Sequence, residues 1–291
     1  MSEITFSSQV HPTEQIVLDF AAENLQPNSV WLPLVLQAEL PNDTMTKEFK
    51  KKGKLTRQIL GENAASTYQA YTETKTTLAA VKSVVSVRTS VESLDFSPGD
   101  LDSDLGIEAG KAFAVGIDED IADLIISATR TQAHSGADFL KMIDILAAAL
   151  KCRNAMGGQQ QRIAFCGHQK QVHEAFGEDL LVASGAIFGN QAISLPQGVE
   201  NLQRPAGLMG QFGGIDTYQS SIADTQTVSA VSCYVGAVFD PSRALVGMWG
   251  RMGALKNEDT ANVRVSKAYY MYHDFGIHWD EAIVSVTSPV A

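Results

Sequence analysis

The chain has 291 residues, 45% hydrophobic and 19% charged, with a formal net charge of −11 and a pI near 5.0. That is enough apolar material for one large domain or two lobes and too much for a disordered chain, while the acidic balance argues against a dedicated nucleic-acid binder, whose footprint is basic. No apolar run reaches the roughly eighteen residues a membrane helix needs, and the opening MSEITFSSQVHPTEQ lacks the basic and apolar regions of a signal peptide, so neither insertion nor secretion is expected.

Residues 1–11 are polar, and Pro12–Asn24 then reads as a short helix with Ile16, Val17, Phe20 and Ala21 on one stripe. In VWLPLVLQAEL, Pro33 interrupts an apolar run, which suits an extended stretch packed against something better than a central strand. From Pro41 to about Thr77 the chain is rich in Lys, Thr, Gln and Ser. Phe49, Leu55, Ile59, Tyr68 and Tyr71 are too few there to build a core. A loop this long inside a compact domain is usually functional. GKLTRQIL and STYQAYTETKTTL around the turn-prone GENA read as a two-stranded ribbon, and because an isolated ribbon is marginal in water a partner surface from another subunit is expected.

Lys47, Lys50, Lys51, Lys52 and Lys54 cluster in TKEFKKKGK. Were all five to meet phosphates, the logarithmic salt slope of binding would be about −4.5. With the whole chain acidic, the favoured reading is a solvated loop tip that meets an acidic neighbouring surface. These lysines and Arg57 are the candidate inter-subunit contacts.

VKSVVSVRTSVESL (81–94) alternates as a strand, with Val85, Val87 and Val91 on one side and Arg88 and Glu92 on the other. The acidic turn FSPGDLDSD feeds a helix over Ser103–Thr129, roughly 27 residues and about 40 Å long. Its apolar face carries Leu105, Ala109, Ala112, Phe113, Ile117, Ile121, Leu124, Ile125 and Ala128, and Ser103 or Asp104 can cap it. Gly106, Gly110 and Gly116 each cost about 1 kcal/mol against Ala, which implies close backbone approach or tolerated weakness. Asp118, Glu119 and Asp120 point about 100° apart and cannot converge as an acid–base pair; they read as solvated or subunit-contact charges.

Beyond Arg130, HSGAD leads into a helix in which Phe139, Met142, Ile143, Leu146 and Leu150 recur at helical spacing, ending at Gly157 and Gly158. Strand RIAFC, helix HQKQVHEAF and a glycine-rich stretch through FGNQAISLPQG follow, so residues 135–235 read as a separate α/β lobe. SAVSCYVGAVF, RALVGMWGRM, VRVSKAYYMYHDFGIHW and AIVSVTS are expected as strands returning to the first lobe.

The chemistry-bearing residues do not assemble into a motif. His168 and His173, like His273 and His278, are five apart, unlike the four-residue spacing of a zinc helix. Gly207, Gly210, Gly213 and Gly214 lack a following GK[ST] and read as a tight hairpin. Ser184 and Ser220 lack the GxSxG elbow. Cys152, Cys166 and Cys233 have no ligand spacing and are odd in number, so they read as reduced core thiols, Cys166 included despite His168 nearby. Tyr269, Tyr270, Tyr272, Phe275 and Trp279 read as sheet packing or a subunit interface. No catalytic residue, metal or cofactor is expected, and the chain is not read as an enzyme.

The order of these elements resembles the tailed-phage major capsid proteins: arm, polar ribbon, strand TLAAVKSVVSVRTS, a spine-like helix with LGIEAGKAFAVGIDEDI, an inserted lobe with GLMGQFGGIDTYQSS, then VFDPSRAL and YYMYHDFGIHW. The resemblance covers nearly the whole chain. It implies an α+β phage major-capsid fold with an N-terminal arm (1–40), an extended β-ribbon loop (41–80), a peripheral domain (81–134 and 237–291) carrying a spine helix over 103–129, and an inserted α/β axial domain (135–236). It further implies self-assembly through pentamers and hexamers into an icosahedral shell around double-stranded DNA, which the wall contacts weakly. A separate scaffolding protein, a portal and possible cement proteins would be partners, and the chain would reside in the virion capsid after assembly in the host cytoplasm. Some members crosslink a loop lysine to an asparagine with a glutamate's help; Lys50, Lys51 and Lys52 lie in the right region, but no Asn or Glu partner is fixed. An encapsulin-like compartment, marked by a protein cargo, and an α/β enzyme with a glycine-rich substrate loop, marked by saturable ligand binding, remain the alternatives.

Overall fold

The computed structural model describes residues 29–41, 44–53, 57–60, 65–90, 101–134, 140–157, 162–182, 208–212, 214–222, 225–228, 231–259 and 264–290. Residues 1–28 of the expected arm, with the helix Pro12–Asn24, the GENA and FSPGD turns, Lys54, Ser184, Gly207, Gly213 and the FGNQAISLPQG stretch, lie outside the described residues.

A 3-10 turn (Leu32–Leu34) precedes β1 (Leu36–Glu39), β2 (Thr46–Lys52), β3 (Glu73–Ala79) and β4 (Val81–Ser90). The long helix α1 (Leu101–Ile126), β5 (Thr131–Ala133), α2 (Met142–Ala155), β6 (Ile163–His168) and α3 (Gln169–Val182) come next. The chain continues through β7 (Leu208–Phe212), β8 (Ile215–Ser220), β9 (Thr225–Val228), β10 (Val231–Phe239), β11 (Leu245–Asp259) and β12 (Arg264–Ile277) to a second 3-10 turn (Asp280–Ala282) and β13 (Ile283–Pro289).

These strands form three sheets. One has the order β1-β11-β12-β4, a second β5-β13-β10-β6-β8-β7 with β9 on β10, and β2 with β3 make a separate ribbon. α1 follows from its period: Ala109, Phe113, Ala114, Ile117, Ile121 and Ile125 are buried in the core that also holds Trp31, Phe165, Phe239 and Tyr269. It ends at Ile126 rather than Thr129 because Ser127 folds back, its N–H and hydroxyl both donating to the Leu124 carbonyl. Of its glycines, Gly116 has open space where a Cβ would sit, so tolerated weakness is the correct reading there.

Two of the four C-terminal segments return to the first lobe as expected: β11 and β12 form a long hairpin, and β12 pairs with β4. The other two join a different sheet, where β13 pairs with β5 of the segment 81–134. β10 and β13 pair with each other inside the seven-stranded sheet, between β5 and β6. All seven residues of β13 are buried, and a strand covered on both faces has no alternation by which to show its place.

The face of α2 differs from the expected one. Met142, Ile145, Ala148, Ala149 and Cys152 are buried against β10 and β13, whereas Ile143, Leu146 and Leu150 are exposed. The Gly-rich hairpin is β7–β8, and Gly214 takes a φ of +77° in its turn, a backbone state open to glycine at no steric cost.

Candidate assembly surface

The ribbon is built from an unexpected stretch. The lysine-rich segment is itself a strand, β2, and it pairs with β3 from Thr46↔Ala79 to Lys52↔Glu73. Arg57–Leu60, within GKLTRQIL, is not a strand and lies exposed. Because successive side chains alternate across a strand, the lysine cluster divides. Lys47, Phe49 and Lys51 are half-buried and face the body, whereas Glu48, Lys50 and Lys52 face solvent.

The inward row docks the ribbon. Lys51 forms an ion pair with Glu281 and sits 4.9 Å above the Trp279 ring, while Phe49 meets His278 edge-on at 6.1 Å. Burial, reinforced by the Lys51 charge, holds His278 below its ordinary pKa. From β3, Leu78 is buried with Val246 and Met248, the Ala79 N–H donates to Asp274 at 2.8 Å, and the Thr76 hydroxyl reaches the Ile277 carbonyl at 3.5 Å. On the outer side, Lys75 pairs with Glu48 at 2.7 Å, which lowers the Glu48 pKa and raises that of Lys75.

Past β2 the ribbon leaves the body. Ile59 is 85% and Tyr68 97% exposed, with Leu60 and Tyr71 also out in solvent. Gln58 and Thr67 clasp the two limbs together: the Gln58 amide donates to the Thr67 carbonyl at 2.7 Å and accepts from its N–H at 3.0 Å. The ribbon thus has a docked base and a solvent-exposed outer part that carries Ile59, Leu60, Tyr68 and Tyr71. Among the candidate contacts, Lys50, Lys52 and Arg57 point outward, Lys47 and Lys51 are engaged within the chain, and Lys54 is outside the described residues.

The second 3-10 turn joins this base to α1. Asp280 accepts from the Thr129 N–H and hydroxyl and lies 3.7 Å from Arg130, and the next residue, Glu281, holds Lys51. At the middle of α1, the Asp118 side chain is only 2% exposed, contrary to the expected solvated charge. It accepts from the Ser29 hydroxyl at 2.5 Å and from the Val30 and Trp31 N–H groups at 3.0 and 3.2 Å. Burial pushes its carboxyl above the ordinary value, and these three hydrogen bonds oppose the shift. Two residues on, Asp120 is exposed and lies 3.5 Å from His273, whose Nε2 also contacts the Ser83 hydroxyl at 3.1 Å. Desolvation holds His273 below its ordinary pKa and raises Asp120, with Asp123, Glu119 and Asp274 adding to the latter. Sequence reasoning missed Asp118 and His273 as anchors because their partners lie more than 80 residues away.

The residues weighed for catalysis are placed apart. Cys166 is fully buried and its thiol is pushed well above its ordinary value by desolvation; Cys152 is pushed up to about 12. All three cysteines are buried and unbridged. His168 stacks on Tyr234 at 3.9 Å and accepts from the Lys170 N–H, so its ring is committed to packing. Ser220 is buried, and its hydroxyl accepts from the Ile222 N–H. Along β12, Tyr269 faces the core, while Tyr270 and Tyr272 meet edge-on at 5.9 Å on the opposite face. Among the described residues no group of three His, Cys, Asp or Glu converges to hold a metal ion, and no helix is long and apolar enough to cross a membrane.

No protein-family model and no curated protein sequence matches the chain. Solved structures do match. The capsid of Ralstonia phage GP4 is similar with a TM-score of 0.67 at 12% identity, over 100% of this chain and 96% of that one. The head structure of Helicobacter pylori bacteriophage KHP40 gives 0.69 at 11% identity over 91% of each chain, and the capsid of cyanophage P-SCSP1u gives 0.61 at 12% over 98% and 92%. At such identities it is the path of the backbone that corresponds, from one end of the chain to the other. The chain has the mixed α+β fold of the tailed-phage major capsid proteins.

Proposed function

We propose that the chain is a structural major capsid protein that self-assembles, through pentamers and hexamers, into the icosahedral shell enclosing a double-stranded DNA phage genome. The observation that carries this reading is the end-to-end match to capsid subunits, in which the projecting ribbon is included. In a shell, residues 1–40 serve as an arm, 41–80 as the extended loop, 81–134 and 237–291 as the peripheral domain with α1 as its spine, and 135–236 as the axial domain. The seven-stranded sheet then draws β13 and part of β10 from the terminal segment. Lys50, Lys52, Arg57 and the exposed ribbon end reach a neighbouring subunit. A net charge of −11 suits a wall that contacts packaged DNA only weakly, and a separate scaffolding protein, a portal and cement proteins complete the set of partners. The protein acts by contact, not catalysis, in the host cytoplasm first and then in the virion.

Negative-stain electron microscopy with sedimentation, on the chain alone and with any scaffolding protein encoded beside it, tests the reading. Closed shells, tubes, sheets or five- and six-fold rings are expected. A compact monomer under every condition would overturn it, and shells holding a protein cargo and no genome would favour an encapsulin-like compartment.

A further inference from the structure

The described residues leave the outward face of α2 uncovered. Ile143, Leu146 and Leu150 are 65%, 39% and 58% exposed and share one stripe at spacings of three and four residues, while the opposite face is buried on the seven-stranded sheet. A surface helix ordinarily turns charge outward. Here the charge is confined to the C-terminal end of the stripe, where Lys151 is exposed and Arg153 half-buried on either flank. The helix is well determined in its seat: the Asp144 carboxylate accepts from the Lys141 N–H at 3.1 Å, the Lys151 ammonium donates to the Thr131 carbonyl at 3.1 Å, and Met142, Ile145, Ala148, Ala149 and Cys152 fix its rotation. The exposed stripe is therefore a fixed feature of the surface.

We infer that this face is an inter-subunit contact occupied by a second copy of the same chain, an inference that rests on the self-assembly reading above. Size and charge select that occupant. The three side chains offer on the order of 300 Å² of apolar surface, the scale at which an exposed patch marks a contact, but far less than the roughly 800 Å² per partner of a self-standing complex. A contact that small is effective when repeated around a closed ring, where every copy makes it and the ring as a whole must open to lose it. The basic flank of Lys151 and Arg153 is complementary to a molecule that carries −11 overall. The ribbon and this helix face then lie on different sheets of one subunit, giving each copy two separate surfaces with which to hold its neighbours.

The test introduces a thiol on the face with Leu146→Cys in the full chain and follows its alkylation, together with assembly of the triple variant Ile143→Gln, Leu146→Gln, Leu150→Gln. The three native thiols are buried and do not compete. Expected are a labelling rate at least ten-fold slower in assemblies than in the dissociated chain, and a triple variant that melts like the parent yet forms few rings or shells. Assemblies in which the thiol labels as fast as in the free chain would overturn the inference and leave the capsid reading standing. A thiol already protected in the free chain would assign the face to a segment of the same molecule, which also overturns it. Failure of the parent chain to assemble under any condition would overturn both.

Discussion

Asp118 is an ionisable group used as a structural clamp. Its carboxylate gathers three donors from residues 29–31 onto α1, so Asp118→Ala, which strands buried donors, should cost about 2–4 kcal/mol in urea denaturation. The pH dependence has a definite sign. Burial raises the folded-state pKa, so the stability linked to this group is fully present below the ordinary carboxylate value and is lost as pH rises through the raised one. Acidification across that interval should stabilise the parent relative to Asp118→Asn. A difference in unfolding free energy that stays flat with pH would contradict the assignment. Two glycines make a paired test. Gly116→Ala adds a methyl into open space and should gain about 1 kcal/mol. In Gly236→Ala the new Cβ would lie 2.9 Å from the Cys166 carbonyl oxygen and 3.0 Å from the Gly167 Cα, and the loss should be about 1–3 kcal/mol.

At the scale of elements, the ribbon's two rows of lysines should respond differently to substitution. Lys51→Ala breaks the Glu281 pair and the Trp279 contact at a partly exposed site. Its cost should be about 0.5–1 kcal/mol, with faster amide exchange confined to β2 and β3. Lys50→Glu with Lys52→Glu touches only the outer row; melting should be unchanged, while assembly should fall and lose its sensitivity to salt. Equal assembly by this variant and its parent would remove the outer row from the interface. Deletion of 47–72 takes out β2 and the exposed end together, and is expected to leave a folded monomer that cannot assemble. An unfolded product would make the ribbon part of the core.

For the molecule as a whole, the sequence showed elements wherever one face was apolar and the other was not. α1 was legible within a few residues of its ends because Phe113, Ile117, Ile121 and Ile125 recur on one side, and β4 was legible from its alternating valines. β2 was hidden because both its faces are polar, so that period two left no hydrophobic trace in TKEFKKK. α2 was legible as a helix but not in its rotation: alanines and a cysteine form its buried face, and the larger Ile143, Leu146 and Leu150 drew the eye to the wrong side. Of the candidate surface, the polar ribbon and its lysines could be read from composition. The anchors Asp118, His273 and Glu281 could not, since each acts on a residue far away in the chain.

The position of β13 bears on the order in which the protein can be made. The Ser285 hydroxyl and N–H donate to the Arg130 carbonyl, 155 residues earlier, and β13 fills the slot between β5 and β10. While residues 131–282 are emerging from the ribosome, β10 has an uncovered edge where β13 belongs, and such an edge is a template for any strand that meets it. The subunit therefore acquires its finished surface only when residues 283–289 arrive. A nascent chain stalled just short of that point would leave this edge open and be prone to pair with the wrong molecule.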